Sequence, residues 1–187
     1  LKYCIAGLGN VGAEYENTRH NVGFVVADAL VKDLKGNFKI ERLASVSKVK
    51  YKGRTLVVIK PTTYMNRSGK AVKYWLEKEK IPVESLLVVV DDIALPPGIL
   101  RLKPGGGDGG HNGMIDIIEK LKTTDFARLR VGIGDDFPKG FQTDYVLGQW
   151  TSKEVNLMIP RIKLAVELIK SYVTLGIEKT MTEFNNR

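Results

Sequence analysis

The five residues Leu86 to Val90 (LLVVV) form an unbroken apolar run, and no other feature narrows the choice of fold as far. Aliphatic side chains in succession suit a strand covered on both faces, as in the centre of a sheet flanked by helices. The rest of the chain alternates accordingly. Residues 2–8 read as a second buried strand, and 46–51 and 54–60 as two strands joined through Lys52-Gly53, a hairpin turn. Residues 99–103 and 127–133 read as further strands. Helical spacing predicts helices over 22–34, 67–79, 113–122 and 152–174, the last with Val155, Met158, Ile159, Ile162, Val166, Ile169 and Val173 inward. These elements predict an α/β fold: a single domain over residues 1–187, a three-layer α/β/α sandwich with a mixed, mostly parallel central sheet. A chain of 187 residues is long enough to bury such a core.

The first strand ends in Gly7, Gly9 and Gly12, spaced G-x-G-x-x-G. In a dinucleotide-binding turn a helix opens directly on such glycines and points its N-terminus at a pyrophosphate. Here residues 13–21 (AEYENTRHN) are polar and lack helical spacing, and Asp28 and Asp33 fall within the helix rather than at the end of a second strand. The dinucleotide reading therefore fails, and the glycines instead shape a tight loop that carries Asn10 toward His20.

In open α/β sheets, sites gather beyond the carboxyl ends of strands. Asn10 and His20 follow the first strand, Asn66 follows 54–60, Asp91 and Asp92 follow LLVVV, and His111 and Asn112 follow the 99–103 strand across KPGGGDGG. Each has an ordinary alternative: Asn66 and Asn112 as helix N-caps, Asn10 as a left-handed turn residue, Asp91 as a strand-end turn residue. Their joint placement at the mouths of successive elements favours a site.

The chemistry of such a site is coherent. Histidine is the side chain whose ordinary pKa suits proton abstraction near neutrality. A carboxylate on its second nitrogen fixes the tautomer, and Asp91, at the end of a buried strand, is the natural candidate. No G-x-S-x-G elbow offers a nucleophile, and no H-x₃-H or C-x-x-C offers metal ligands, so the reading is direct attack by water with no metal and no cofactor.

Net charge is +8, from 29 Lys and Arg against 21 Asp and Glu, which favours a polyanionic partner and nucleic acid first. A lone cysteine, Cys4, suits a reducing cytoplasm, and no apolar run approaches the length of a membrane span. The N-terminal residues lack the pattern of a secretory signal.

Several segments together resemble the bacterial peptidyl-tRNA hydrolase family. They are GLGNVGAEYENTRHNVGF (7–24), KPTTYMNRSG (60–69), VVDDIALPPG (89–98), GGHNG (109–113), FARLRVGIG (126–134) and DYVLGQW (144–150), in the family's order. The resemblance implies hydrolysis of the ester between a peptide and the 3′ adenosine of tRNA, in a cytoplasmic, metal-independent monomer. Its partner would be peptidyl-tRNA, held at the 3′ CCA end and the 5′ phosphate region. It implies His20 as general base, Asp91 as its partner, and Asn10, Asn66 and Asn112 as orienting amides, with Asn10 and Asn112 in the catalytic set. It implies substrate contacts at Tyr15, Tyr64, Met65 and His111, and a basic pair, Lys103 and Arg130, on the 5′ phosphate. The choice of Asp91 over Asp92 rests on the resemblance, Asp108 in the glycine-rich loop departs from it, and residues 134–144 are where a mobile flap is expected, with bends at Gly134, Pro138 and Gly140. The family also resembles a plant organellar intron-splicing factor, so the alternative is an RNA-binding relative without catalysis.

Overall fold

The LLVVV run occupies the place its composition demands. A computed structural model describes residues 1–187. In it the run is β5 (Leu86–Asp92), an interior strand of a seven-stranded sheet with β1 (Lys2–Gly7), β2 (Lys39–Glu41), β3 (Ala44–Tyr51), β4 (Arg54–Pro61), β6 (Leu100–Lys103) and β7 (Ala127–Gly132). The spatial order is β2-β3-β4-β1-β5-β7-β6. Successive β5 side chains enter opposite layers. Leu87 and Val89 pack with α1 (Val22–Asp33), α5 (Ser152–Leu175) and α6 (Ile177–Phe184). Leu86, Val88 and Val90 pack with α2 (Ser68–Glu79) and α3 (Asn112–Leu121). The α/β/α layering is as expected.

The sheet is less parallel than expected. β1 pairs in parallel with β4 and β5, and β5 with β7, while β2–β3, β3–β4 and β6–β7 are antiparallel. Parallel pairing is thus confined to the four central strands. Only seven residues, 93–99, join β5 to β6, too few for the crossover that a parallel pair needs. The Lys52-Gly53 turn is as read, with both residues at positive φ, 46° and 80°, between Tyr51 and Arg54 in register.

The last helix differs from its expected form. It ends at Leu175, and Gly176, with φ 89°, starts a separate α6. Val155 and Ile159 are 43% and 53% exposed rather than inward. Apolar burial along α5 starts at Met158 and is dense only from Ala165. Ahead of that, the helix is held by polar contacts, Glu154 on Arg19 and Arg161 on the Gly98 carbonyl. Three short pieces without clear periodicity, β2, α6 and α4 (Gln142–Val146), were not foreseen.

The glycines after β1 serve close packing. A Cβ at Gly7 would sit 2.2 Å from the Gly23 carbonyl oxygen, and one at Gly23 would sit 2.4 Å from the Leu8 nitrogen. The start of α1 therefore rests backbone to backbone on the end of β1. Gly7→Ala is expected to cost about 3 kcal/mol, because neither backbone can yield without moving the sheet. Equilibrium denaturation checks this, and a midpoint unchanged from the parent would contradict it.

Candidate active site

The carboxyl ends of β1, β4 and β5 open on a cleft of about 470 Å³. β1 leads to Asn10, β4 to Met65 and Asn66, and β5 to Asp91, while a 3₁₀ turn before α1 supplies His20. β6 runs the other way, so Lys103 lies far along the cleft, and the glycine-rich segment 104–110 travels back to deliver His111 and Asn112. The histidines and three cations, Lys103, Arg128 and Arg130, thus line the same cleft. Of the expected residues, only Tyr15 and Tyr64 do not line it. Those two rings meet edge-on, 6.3 Å apart.

Asp91 is buried between two histidines. Its Oδ2 lies 2.8 Å from His20 Nδ1, and its Oδ1 lies 2.8 Å from His111 Nε2. His111 is also the N-cap of α3, where its Nδ1 accepts from the amides of Gly113 (3.1 Å) and Met114 (3.2 Å). That nitrogen therefore carries no proton, and Nε2–H donates to Asp91. Burial, the largest single effect on Asp91, opposes its charge, but His111 and His20 together outweigh it and hold the carboxyl well below the usual range. An ionised Asp91 accepts a hydrogen bond from His20 Nδ1–H, which leaves Nε2 as the basic atom, with no protein partner and on the cleft. The trio's ligand-type atoms lie within 4.8 Å of one another. Two donors on one tetrahedral zinc stand about 3.3 Å apart, whereas both nitrogens here sit at hydrogen-bond distance from the carboxylate. The three side chains form a hydrogen-bond chain centred on the carboxylate.

The adjacent acid makes different contacts. Asp92 turns away from the histidines and pairs with Arg130 Nε. Arg130 is thereby largely neutralised, and Lys103 is an exposed cation of the cleft without an ion pair.

The asparagines divide into two kinds. Asn10 is buried, and its Oδ1 accepts from the Met65 amide at 2.6 Å. Its Nδ2 is left to donate into the cleft. Asn21, the neighbour of His20, clamps the Asn10 backbone from both sides, at 2.8 and 2.9 Å. Asn10 therefore reaches Met65 rather than His20 and is linked to His20 through Asn21. Tyr64, which presents the Met65 amide, has φ 62° and ψ 160°, a region that costs a non-glycine residue roughly 1–3 kcal/mol. Asn66 and Asn112 are exposed and make no side-chain hydrogen bond to the protein. Neither is a cap, because Arg67 and His111 hold those positions.

Three buried polar residues had no signal in the sequence beyond nearness to a recognised motif. Asn21 is one. Arg19 is another: it forms a bidentate pair with Glu154 (3.2 and 2.8 Å), donates to the Tyr145 carbonyl, and lies 4.2 Å over the Tyr145 ring. With the Arg19 amide on the Gly148 carbonyl, this ties the turn bearing His20 to the segment after α4. α4 occupies part of the expected flap, and its Gln142 and Thr143 line the cleft. Gly134 and Gly140 bend there with φ 80° and 90°. The third is Arg128, at the glycine-rich loop.

A family model described as peptidyl-tRNA hydrolase matches residues 4–187. The chain belongs to the peptidyl-tRNA hydrolase family. It is 54% identical over 187 residues to a peptidyl-tRNA hydrolase of Parabacteroides distasonis and 51% identical to one of Phocaeicola vulgatus, with all of each chain covered in both cases. A crystal structure of peptidyl-tRNA hydrolase from Acinetobacter baumannii superposes with a TM-score of 0.93 at 36% identity, over 98% of this chain and 94% of that one. No helix is long and apolar enough to cross a membrane.

Proposed function

We propose that this chain frees tRNA from peptidyl-tRNA by direct attack of water on the ester carbonyl, with His20 Nε2 as the general base. The observation that carries the reading is the open Nε2 of a histidine whose Nδ1 is held by buried Asp91 at 2.8 Å. As water attacks, its proton passes to Nε2, and the imidazolium is stabilised by Asp91. His20 then returns the proton to the 3′ oxygen of the departing tRNA, leaving a peptide carboxylate. Asn112, beside the N-terminus of α3, would donate to the oxyanion. Asn10 Nδ2 and Asn66 would hold the terminal nucleotide and nearby peptide amides. A base of this kind typically supplies about 10²–10⁴-fold and an oxyanion donor about 10²–10³-fold, enough for an activated ester.

Release of peptide from purified peptidyl-tRNA tests this reading. Cleavage is expected, and tight tRNA binding without cleavage would replace it with a non-catalytic RNA-binding role. We read the protein as a single-domain cytoplasmic monomer. Its sheet edges support this: β2 spans three residues, and the Asn185 side chain bonds both backbone groups of Leu102 on β6.

The 5′ phosphate would meet Lys103 and Arg130, with the CCA end at the histidines. Lys103→Ala is expected to raise KM for full-length peptidyl-tRNA and to reduce the salt dependence by about one charge. It should leave a minimal ester substrate without the tRNA body unaffected. Arg130→Ala is expected to change the salt slope less, because Asp92 already offsets that charge. Equal slopes in the parent and Lys103→Ala would remove Lys103 from the phosphate site.

A further inference from the structure

Arg128 is 3% exposed and has no carboxylate partner. All its hydrogen bonds go to backbone carbonyls: Gly106 and Gly107 at 2.8 Å, Thr124 at 2.7 Å, and Phe126 at 3.3 Å from both Nε and Nη2. Its guanidinium also lies 4.4 Å over the Phe126 ring. Burial, and then the nearby Arg130, weaken its hold on the proton. A buried cation without a counterion is costly, and the only thing these bonds accomplish is to fasten the root of the glycine-rich loop to the segment before β7.

That loop has little else to hold it. Cβ atoms built at Gly107, Gly109 and Gly110 would meet nothing within 4 Å, so no packing fixes its path. Its other anchor is Asp108, whose Oδ1 accepts from the Gly110 amide at 2.8 Å and whose carbonyl accepts from the His111 amide at 3.1 Å. The next residue in this chain of contacts is His111, bonded to Asp91 and through it to His20.

We propose that Arg128 is a positioning residue for the hydrolytic reaction: by holding the Gly106 and Gly107 carbonyls it sets the loop that places His111 on Asp91. This rests on the function proposed above. It also gives Asp108 a role, as the second fastening of the same loop.

A mutant cycle tests the inference, with kcat measured on a minimal ester substrate so that contacts to the tRNA body drop out. Arg128→Lys keeps a cation but cannot reach four carbonyls at once. It is expected to lower kcat about tenfold with KM changed less than about threefold, a loss within the usual range of coupling between linked residues. In a His111→Ala background the same change is expected to do almost nothing, because the path is already broken. Should the buried change prevent folding, Asp108→Ala cuts the path at an exposed residue and must show the same dependence on His111. Equal losses with and without His111, or no loss from either variant, would overturn the inference. An inactive parent protein would overturn the proposed function instead, so the two failures are distinct.

Discussion

Replacing His20 with alanine is expected to lower kcat for peptide release by about 10²–10⁴-fold, the usual contribution of a positioned general base, while affinity for tRNA stays close to that of the parent. The size follows from the absence of a substitute. His111 is the only other histidine, and both its ring nitrogens are committed, Nδ1 to the amides that open α3 and Nε2 to Asp91. Asp91 is buried and bonded to both rings, and Asp92 is occupied by Arg130 and the Ala94 amide. Affinity should survive because the cations of the cleft make no bond to His20, and Lys103 among them is free of any acidic partner. Single-turnover peptide release, beside a filter-binding measurement with uncharged tRNA, separates the two effects. A rate within about threefold of the parent would remove His20 from the base role.

The layering of the fold was legible because it depends on side-chain chemistry that any five-residue window reveals. LLVVV can be buried on both faces only between helices, and the structure splits it between two apolar layers. Strand direction was less legible, since the short alternating β6 (LRLK) carries no direction of its own. Its direction was nevertheless implied by the seven-residue connection from β5, which is too short for a parallel crossover. The glycine fingerprint was correctly separated from a dinucleotide turn by the late helix. What those glycines do, letting α1 touch the backbone of β1, is a tertiary contact that no local pattern carries.

At the site, residue types that do chemistry were visible, and residues that hold them were not. His20, Asp91, Asn10, Asn66, His111 and Asn112 stand at element ends in polar motifs, and the fold brings all six to one cleft. Asn21, Arg19 and Arg128 also lie in those motifs, but their work is to satisfy backbone groups or acids in other segments, 135 residues away for Arg19 and Glu154. Such partners follow only from the three-dimensional path. His111 lines the cleft, and both its ring nitrogens are bonded within the protein. A histidine that is both N-cap and carboxylate partner fixes its own tautomer, and the consequence reaches His20 through Asp91.

That consequence makes Asp91→Asn the sharpest test of the mechanism, with an expected loss in kcat of about 10³–10⁴-fold, the scale seen when a catalytic histidine is forced into the wrong tautomer. An amide at position 91 offers one acceptor and one donor to two rings. His111 cannot adapt, because the Gly113 and Met114 amides keep its Nδ1 unprotonated, so its Nε2–H requires the amide oxygen. The amide nitrogen must then face His20 Nδ1, which becomes an acceptor, and the proton of His20 moves to Nε2, the atom that should take a proton from water. The structure thus dictates which way the new side chain turns. Removing His111 frees it: in Asp91→Asn with His111→Ala the amide can reverse, accept from His20 Nδ1, and restore a basic Nε2. The double variant is expected to be about tenfold faster than Asp91→Asn alone, although each change by itself is harmful, and nitrogen NMR of the His20 ring should show the tautomer exchange between them. If the double variant is no faster than Asp91→Asn, the carboxylate acts on His20 through its charge rather than by fixing its tautomer.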